Sequence, residues 1–507
     1  MKVVKSLLLG TAAGLIAVGG AHAADLPVKA KAVEYVKICS LYGAGFYYIP
    51  GSDTCIKLGG YLRAEVALNA GGNYSAQYNG VFAANNRLTN YYSMRAREDL
   101  NIDTRTATEY GVVRTYFDAV FTWTTGSYVG TGSATGATGY SATTAGSSTI
   151  NPTDGGISGG SLGVYYAFIQ FAGFTMGKSV SQFDAPWINY PGNNFDQLVG
   201  GSGSTNGVAQ FTYTADFGQG VSATISAQDQ TQFFTTNIWN TAGMSTTGVL
   251  GGAYGSNDIG GTRSPDIVGV VRVDQAWGLF QASVAAHDNH VGYYGATEVT
   301  GHPEDKWGWA VQLALSIKNI PTGAGDVINV SGVYTEGASR YNFQSLAATS
   351  YSMFGSSNAA YQSIGFAGVS DAVFGPGGNL ELTKTYGFRG AYTHNWSPYW
   401  NTALYGAWAA VNHSGTAKGL ICGSAAFATL TGTCNPDFNI GQVGVITRWT
   451  PVKNLTFSAD FTYSHLDQKY SGVITTGALT SVAKPAATYE LKDQDTYSLL
   501  LRAQRNW

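Results

Sequence analysis

The sequence predicts an all-β protein in which sixteen antiparallel strands close into a barrel that crosses a membrane. Three observations support this prediction. Apolar and polar residues alternate with a period of two in many segments, which is typical of strands with one apolar face. The connections between these segments alternate between tight turns and long polar loops. No stretch after residue 23 approaches the roughly 18 apolar residues that a membrane-spanning helix needs.

The first residues have the layout of a secretory signal. Two lysines precede an apolar run, and the small-residue motif Ala-His-Ala follows it at residues 21–23. We therefore expect residues 1–23 to be cleaved, residues 24–54 to form an N-terminal segment, and residues 55–507 to form the barrel. Cleavage would leave 26 of the 28 basic residues against 31 acidic ones, a net charge of −5. This mild charge gives no indication of nucleic-acid binding.

The composition differs from that of a soluble domain. Charged residues make up 12% of the chain, which is about half their usual share in soluble domains. Glycine accounts for 67 of the 507 residues, which is about twice its usual share. No proline-rich or charged linker divides the chain, so we interpret it as one large domain.

The alternating pattern is clearest in two segments. Residues 306–318 (KWGWAVQLALSIK) and 454–466 (NLTFSADFTYSHL) have apolar side chains at the odd positions from 307 to 317 and from 455 to 463, and mostly small or polar ones between them. A slip of one residue would turn every polar side chain to the apolar face, so the register is strongly specified. The sixteen predicted strands are 55–69, 88–104, 108–124, 161–171, 174–181, 206–217, 220–231, 265–275, 278–289, 304–319, 326–337, 384–396, 400–413, 437–450, 453–465 and 492–507.

The lengths of the connections favour a membrane barrel over a soluble sandwich. A sandwich would also alternate, but its turns need not segregate by length. Here tight turns such as 172–173 (AG) and 451–454 (PVKN) take turns with long loops rich in glycine, serine, threonine and asparagine. In lipid a sheet survives only as a closed barrel, because every backbone polar group must be paired. The pattern therefore indicates an outer-membrane barrel with short periplasmic turns and long extracellular loops.

The last segment, Thr496 to Trp507, fits the closure of such a barrel. Five of its residues share one parity: Tyr497, Leu499, Leu501, Ala503 and Trp507. The strand would face lipid with these residues and pair with the first strand, leaving no edge. Arg505 and, in the second strand, Glu98 are exceptions with the lipid-facing parity. We expect Arg505 to reach the headgroups and Glu98 to lie at a subunit interface or a β-bulge.

Two segments resemble the alpha-proteobacterial outer-membrane porins, a family of general diffusion porins. Residues 39–66 (CSLYGAGFYYIPGSDTCIKLGGYLRAEV) are similar to the family's N-terminal signature. Residues 167–184 (AFIQFAGFTMGKSVSQFD) are similar to the segment that leads into its constriction loop. The resemblance covers essentially the whole chain, although the family usually ends in phenylalanine and this chain ends in Trp507.

The resemblance implies a homotrimer in the bacterial outer membrane, in contact with lipid and lipopolysaccharide. It also implies that the third long loop folds inward and narrows each pore. A water-filled interior follows independently, because sixteen strands enclose a lumen too wide for side chains to fill.

The predicted lumen face carries a basic wall, because the first, second, third and last strands are contiguous in a closed barrel. By parity its residues are Arg63, Arg95, Arg97, Arg114 and Arg502, and we add Lys178, which precedes the constriction loop. The alternative is that these residues pair with Glu65, Asp99 and Asp118 as structural ion pairs. Both interpretations stay open at this point, since charges in such a lumen serve selectivity as well.

The third long loop contains two prolines, several aromatic residues and the acids Asp184 and Asp196. Exposed aromatic side chains are unfavourable in water, so the loop should pack on the barrel wall. If both acids face the basic wall, the two signs create a field across the pore. The Pro-Glu-Phe run of classical porins is not matched, because Gly192 follows Pro191, so the sequence leaves open which acid faces the pore.

The four cysteines suggest two disulfides, because the exported chain enters an oxidising compartment. Spacing favours Cys39 with Cys55 and Cys422 with Cys434, but three pairings are possible, and free thiols are the alternative. Neither pair has the spacing of a zinc site. The run HDNH at residues 287–290 lacks further ligands, so we expect no metal site and no cofactor.

These observations together predict a channel. We expect passive diffusion of small hydrophilic solutes and ions through a water-filled pore, with no catalytic residues. The first alternative is a substrate-specific channel for a sugar or an anion, which would show saturable binding. The second is an outer-membrane barrel enzyme, which would need a serine or aspartate beside a histidine at one rim.

Overall fold

The computed structural model of the chain describes residues 37–70, 91–124, 161–187, 192–231, 234–344, 349–479 and 484–507. Within these ranges sixteen long antiparallel strands close into one barrel, as predicted. They are β1 Cys55–Leu68, β2 Tyr92–Thr108, β3 Gly111–Thr124, β4 Ser161–Phe171, β5 Phe174–Ser179, β6 Val208–Asp216, β7 Val221–Gln228, β8 Asp266–Gln275, β9 Gly278–Asn289, β10 Lys306–Lys318, β11 Val327–Glu336, β12 Lys384–Ser397, β13 Trp400–Asn412, β14 Phe438–Val452, β15 Leu455–Gln468 and β16 Gln494–Asn506. The predicted signal, residues 1–23, lies outside the described residues.

The barrel closes between its first and last strands. Residues 61–68 of β1 pair with residues 499–506 of β16, and the other side of β1 pairs with β2. The alternation sorts the side chains as predicted: on β10, Trp309 and Leu313 are exposed on the outside, while Ala310 and Gln312 are buried. The outer surface is therefore apolar, and the polar side chains face the lumen.

The second strand lies a few residues later than predicted, and the third begins a few residues later but ends at the same residue. β2 extends to Thr108, and its turn to β3 consists of Glu109 and Tyr110. Gly111 has a φ of 118°, a conformation that glycine adopts at little cost, and it begins β3 directly after this turn. The predicted second strand ended at residue 104, so it did not include Arg105. In the structure Arg105 is part of β2 and lies on the lumen wall.

Short elements occupy the connections. A two-residue strand, Tyr47–Tyr48, pairs with β1. Ser350–Gly355, Gln362–Gly368, Ala487–Leu491 and Gly472–Thr476 form a four-stranded sheet, and Glu381–Leu382, Ala372–Phe374 and Trp239–Asn240 a three-stranded one. In the part of the chain that the structure describes, the α-helices are Thr246–Leu250 and Gly415–Cys422, and the 3-10 helices are Ser40–Tyr42, Glu298–Thr300, Ser339–Tyr341 and Ala425–Phe427. In the described ranges, no helix is both long and apolar enough to cross a membrane.

The long loops share a hydrophobic core that is separate from the barrel wall. Trp239, Tyr254, Phe366, Ile421 and Tyr489 are all buried in it, although they come from four different loops. Trp239 stacks on Tyr254 with ring centroids 4.3 Å apart. The loops at this end of the barrel therefore pack on one another.

Both disulfides have the pairing that the spacing favoured. Cys39 is bonded to Cys55, which ties the N-terminal segment to the start of β1. Cys422 is bonded to Cys434, which ties the helix Gly415–Cys422 to the segment that leads into β14.

Candidate pore constriction

The described parts of the third long loop, residues 180–187 and 192–207, lie in the lumen and are bound to the wall of the barrel. In the first arm of the loop, the carbonyl oxygen of Asp184 accepts a hydrogen bond from the side-chain amide of Gln281 at 2.9 Å. The amide of Gln312 donates to the carbonyl oxygen of Phe183, also at 2.9 Å. Glutamines that point inward from β9 and β10 thus satisfy loop backbone groups that water cannot reach.

The loop tip is held where β15, β16 and β1 adjoin. The backbone N–H of Asn194 donates to Asp460 at 2.5 Å, and its side-chain amide donates to Ser458 at 2.8 Å. Phe195 packs against Leu500 of β16 and Ala67 of β1. The tip therefore reaches from β5, where the loop begins, to the seam of the barrel.

The returning arm runs back along β14 and β12. The N–H of Val199 donates to the side chain of Gln442 at 2.9 Å. Gly200 has a φ of 84°, and a Cβ atom there would lie 2.2 Å from the carbonyl oxygen of Phe388. Only glycine allows so close an approach, so the local sequence permits the loop to lie flat on this wall.

The wall formed by β16, β1, β2 and β3 carries six arginines on its lumen face. They are Arg63, Arg95, Arg97, Arg105, Arg114 and Arg502. Arg63 lies directly opposite Arg97 in the register of β1 and β2, and Glu65 lies opposite Arg95. Arg105 was missed by the sequence interpretation, although it has the same parity as Arg95 and Arg97.

Four of these arginines form ion pairs in two similar arrangements. The buried carboxylate of Glu65 accepts from Arg95 Nε at 2.5 Å and from Arg502 Nε at 2.6 Å. Asp103 accepts from Nη2 of Arg105 and of Arg114, both at 3.0 Å. The structural ion pairs considered as the alternative therefore exist for these four, with Asp103 in the place expected for Asp99 and Asp118.

Arg63 and Arg97 are bound differently, because their partners are neutral. Arg63 Nε donates to Gln504 at 2.9 Å, and its guanidinium lies 4.4 Å from the ring of Tyr61. Arg97 Nε donates to Thr122 at 3.1 Å. Within the described part of the chain, neither guanidinium has a carboxylate at ion-pair distance, so both positive charges remain on the lumen wall.

Asp184 does not face the basic wall, which corrects the expected role of this acid. Its carboxylate is buried and accepts from the Ser202 hydroxyl at 2.6 Å and from Ser204 N–H and Oγ at 2.6 and 2.8 Å. Burial raises the pKa of Asp184, although these hydrogen bonds oppose the shift. The residue lies where the two arms of the loop meet, so its carboxylate binds one arm of the loop to the other.

Asp196 is the acid that lies near the basic wall. Its backbone has a φ of 53°, a conformation that aspartate tolerates better than most residues. Burial raises the pKa of its carboxyl, and the guanidiniums of Arg502, Arg63 and Arg95 oppose this effect. Of the two predicted acids, Asp196 is therefore the one whose carboxyl lies close enough to feel the charges of the basic wall.

Lys178 lies on the outer face of the barrel, so its assignment to the basic wall was wrong. On β5 the buried residues Thr175 and Ser179 face the lumen, whereas Lys178 shares the parity of exposed Phe174. Its ammonium donates to the carbonyl oxygen of Val164 at 2.6 Å. The alternation within β5 predicts the face on which Lys178 lies, whereas its position next to the constriction loop does not.

Arg505 and Glu98, the two charges predicted to face outward, have different surroundings. Arg505 donates to the carbonyl oxygen of Lys453 in the adjacent tight turn. Glu98 lies opposite Leu62 and Phe121, and the registers of β2 with β1 and β3 are continuous there. A β-bulge therefore does not explain Glu98, and a subunit interface stays a prediction.

The histidines of the run at residues 287–290 bind carboxylates. His287 Nδ1 lies 2.8 Å from Asp266, and His290 Nδ1 lies 2.8 Å from Asp305. Among the described residues, no group of three or more histidine, cysteine, aspartate or glutamate side chains is arranged to hold a metal ion.

A closed barrel with an apolar outer surface, a charged lumen and an inward-folded loop defines a porin-type channel of the outer membrane. The model of the Porin subfamily matches residues 25–500, and the chain belongs to this family. It is an outer-membrane porin, a general diffusion channel. The family is one of channels rather than enzymes.

Individual relatives agree with this assignment. The chain is 33% identical to porin Omp2a of Brucella melitensis over 304 residues, which cover 59% of this chain and 70% of that protein. It is 31% identical to porin Omp2b of Brucella suis over 308 residues, or 59% and 69% of the two chains. The crystal structure of the outer membrane channel DcaP of Acinetobacter baumannii shares the fold, with a TM-score of 0.52, 15% identity and coverage of 91% and 99%.

Proposed function

We propose that small hydrophilic solutes and ions cross the outer membrane passively through the space that the constriction loop leaves open beside Arg63 and Arg97 of the arginine wall, and that the passage favours anions. The observation that carries this proposal is the pair Arg63 and Arg97, whose hydrogen-bond partners in the described ranges are neutral. Glu65 and Asp103 offset only two of the four positive charges of Arg95, Arg502, Arg105 and Arg114. An excess of positive charge beside a narrow aqueous path raises the local concentration of anions.

Asp196 supplies the opposite sign on the loop side of the same passage. Opposed charges order the water between them, and an apolar solute cannot replace the favourable polarisation of that water. The passage should therefore discriminate against apolar solutes as well as against large ones.

Assembly as a homotrimer is part of the proposal and rests on the resemblance to porins. The outward-facing carboxylate of Glu98 supports it, because a charge on the lipid side of a strand is unfavourable unless another surface covers it. Lipid and lipopolysaccharide would contact the rest of the apolar outer surface.

Planar-bilayer recording of the purified protein tests the function. We expect conductance to appear in groups of three equal steps and the reversal potential in a salt gradient to lie on the anion side. Conductance should rise with salt concentration without saturating. A cation-side reversal potential would contradict the anion preference, and absence of channels would contradict the function.

A substrate-specific anion channel is the second candidate. The two neighbouring guanidiniums of Arg63 and Arg97 favour it, because together they could bind one oxyanion. Saturation of the current with a small organic anion, but not with chloride, would identify this second function.

A further inference from the structure

Glu65 occupies a central position at the seam of the barrel. It lies on β1, opposite Arg95 on β2 and Arg502 on β16. Its side chain is fully buried, and each of its two oxygens accepts from a different guanidinium. One carboxylate therefore links the first, second and last strands on the lumen side.

Arg502 connects this carboxylate to the constriction loop. Its Nε donates to Glu65, while Nη1 and Nη2 donate to the side-chain and main-chain oxygens of Asn194 at 3.0 and 2.8 Å. The guanidinium is planar and its donors point in set directions. With Nε bound to Glu65, the other two nitrogens are directed at the loop tip.

Asn194 at the loop tip is bound by residues of two neighbouring strands. Ser458 and Asp460 on β15 bind its amide groups, and Arg502 on β16 binds its oxygens. Removing one partner of a buried ion pair leaves an uncompensated charge, which is strongly unfavourable. Arg502 is thus restricted to the one orientation that serves both Glu65 and Asn194.

We infer that Glu65 is a positioning residue for the constriction loop: through Arg502 it holds the loop tip at the barrel seam and so sets the width of the passage. This role differs from a contribution to the field of the basic wall, because it acts through the position of Asn194. The inference rests on the proposed solute path, in which the constriction loop bounds the pore.

Asp103 provides a matched control for Glu65. It also bridges two arginines of the same wall, Arg105 and Arg114. The described contacts of those two arginines are to strand residues and to Tyr42 and Phe46 of the N-terminal segment, and none of these residues belongs to the constriction loop. Glu65→Gln and Asp103→Asn each remove one negative charge, so both should move the reversal potential toward anions. Only Glu65→Gln should also increase open-channel current noise and admit larger neutral sugars in liposome swelling.

The inference would be overturned if both variants changed noise and size limit equally, or if Glu65→Gln changed the reversal potential alone. Should Glu65→Gln fail to assemble, Arg502→Lys gives the answer. It keeps the charge but cannot bind Glu65 and Asn194 together, so noise and size limit should rise with an unchanged reversal potential. No change in either quantity for Arg502→Lys would equally refute the role.

Parallel measurements separate this inference from the proposed function. The wild-type protein must first open channels and pass small sugars. If it does so and the Glu65 and Arg502 variants retain its size limit, the diffusion channel stands and only the positioning role fails.

Discussion

Replacing both Arg63 and Arg97 with glutamine should reduce the anion preference of the channel about fivefold. An ion that passes about 8 Å from a guanidinium gains or loses about 0.5 kcal/mol in water, and about 0.1 M salt halves this value. Each guanidinium lowers the energy of an anion in the passage and raises that of a cation. Removing both guanidiniums therefore changes the energy difference between anion and cation by about 1 kcal/mol. A difference of that size corresponds to about a fivefold change in permeability ratio.

These two arginines suit the experiment because their partners in the described residues are a glutamine and a threonine. Their removal therefore breaks no ion pair among the described residues. Removal of Arg95 would take away an ion-pair partner of Glu65, and removal of Arg114 one of Asp103. Either change would destabilise the protein as well as alter its selectivity, because a buried carboxylate would lose compensating charge.

The assay is the reversal potential of single channels under a potassium chloride gradient. Arg272→Gln is the control, since Arg272 also faces the lumen and also binds a glutamine, Gln281 at 2.9 Å, but lies on β8 and away from the basic wall. The control should keep the parent's reversal potential. If the double variant kept it as well, the arginine wall would not border the ion path and our reasoning would be wrong.

Three further predictions concern the loops. Burial raises the pKa of Asp196, so its carboxylate should take up a proton at a pH above the ordinary aspartate pKa of about 3.9. The reversal potential should then move toward anions as the pH falls, because the loop loses a negative charge. Asp196→Asn should abolish this pH dependence. Replacing Cys422 and Cys434 with serine should destabilise their loop by about 3 kcal/mol in the chain-entropy model, seen as faster hydrogen exchange in the adjoining helix with the conductance retained. Gly200→Ala should push the loop off the carbonyl of Phe388, and an unchanged size limit in liposome swelling would contradict this contact.

Much of the barrel follows from the sequence because strand alternation is a local property. Side chains in a strand point alternately to opposite faces, so the parity of residues 306–318 sorts β10 without knowledge of its neighbours. The same rule placed Arg63, Arg95 and Arg502 in the lumen. Closure of the barrel then brought them together, because its first and last strands must pair.

The constriction loop depends on tertiary structure, since its contacts join residues that are far apart in the chain. Asn194 binds Asp460, which is 266 residues away, and no local pattern records such a pairing. Both acids of the loop looked equivalent in sequence, yet Asp184 binds Ser202 and Ser204 while Asp196 lies near the arginines. The sequence by itself determined which face of each strand meets water, because that depends on alternation within the strand. The closed barrel decided which charges neutralise one another, because that depends on where distant segments meet.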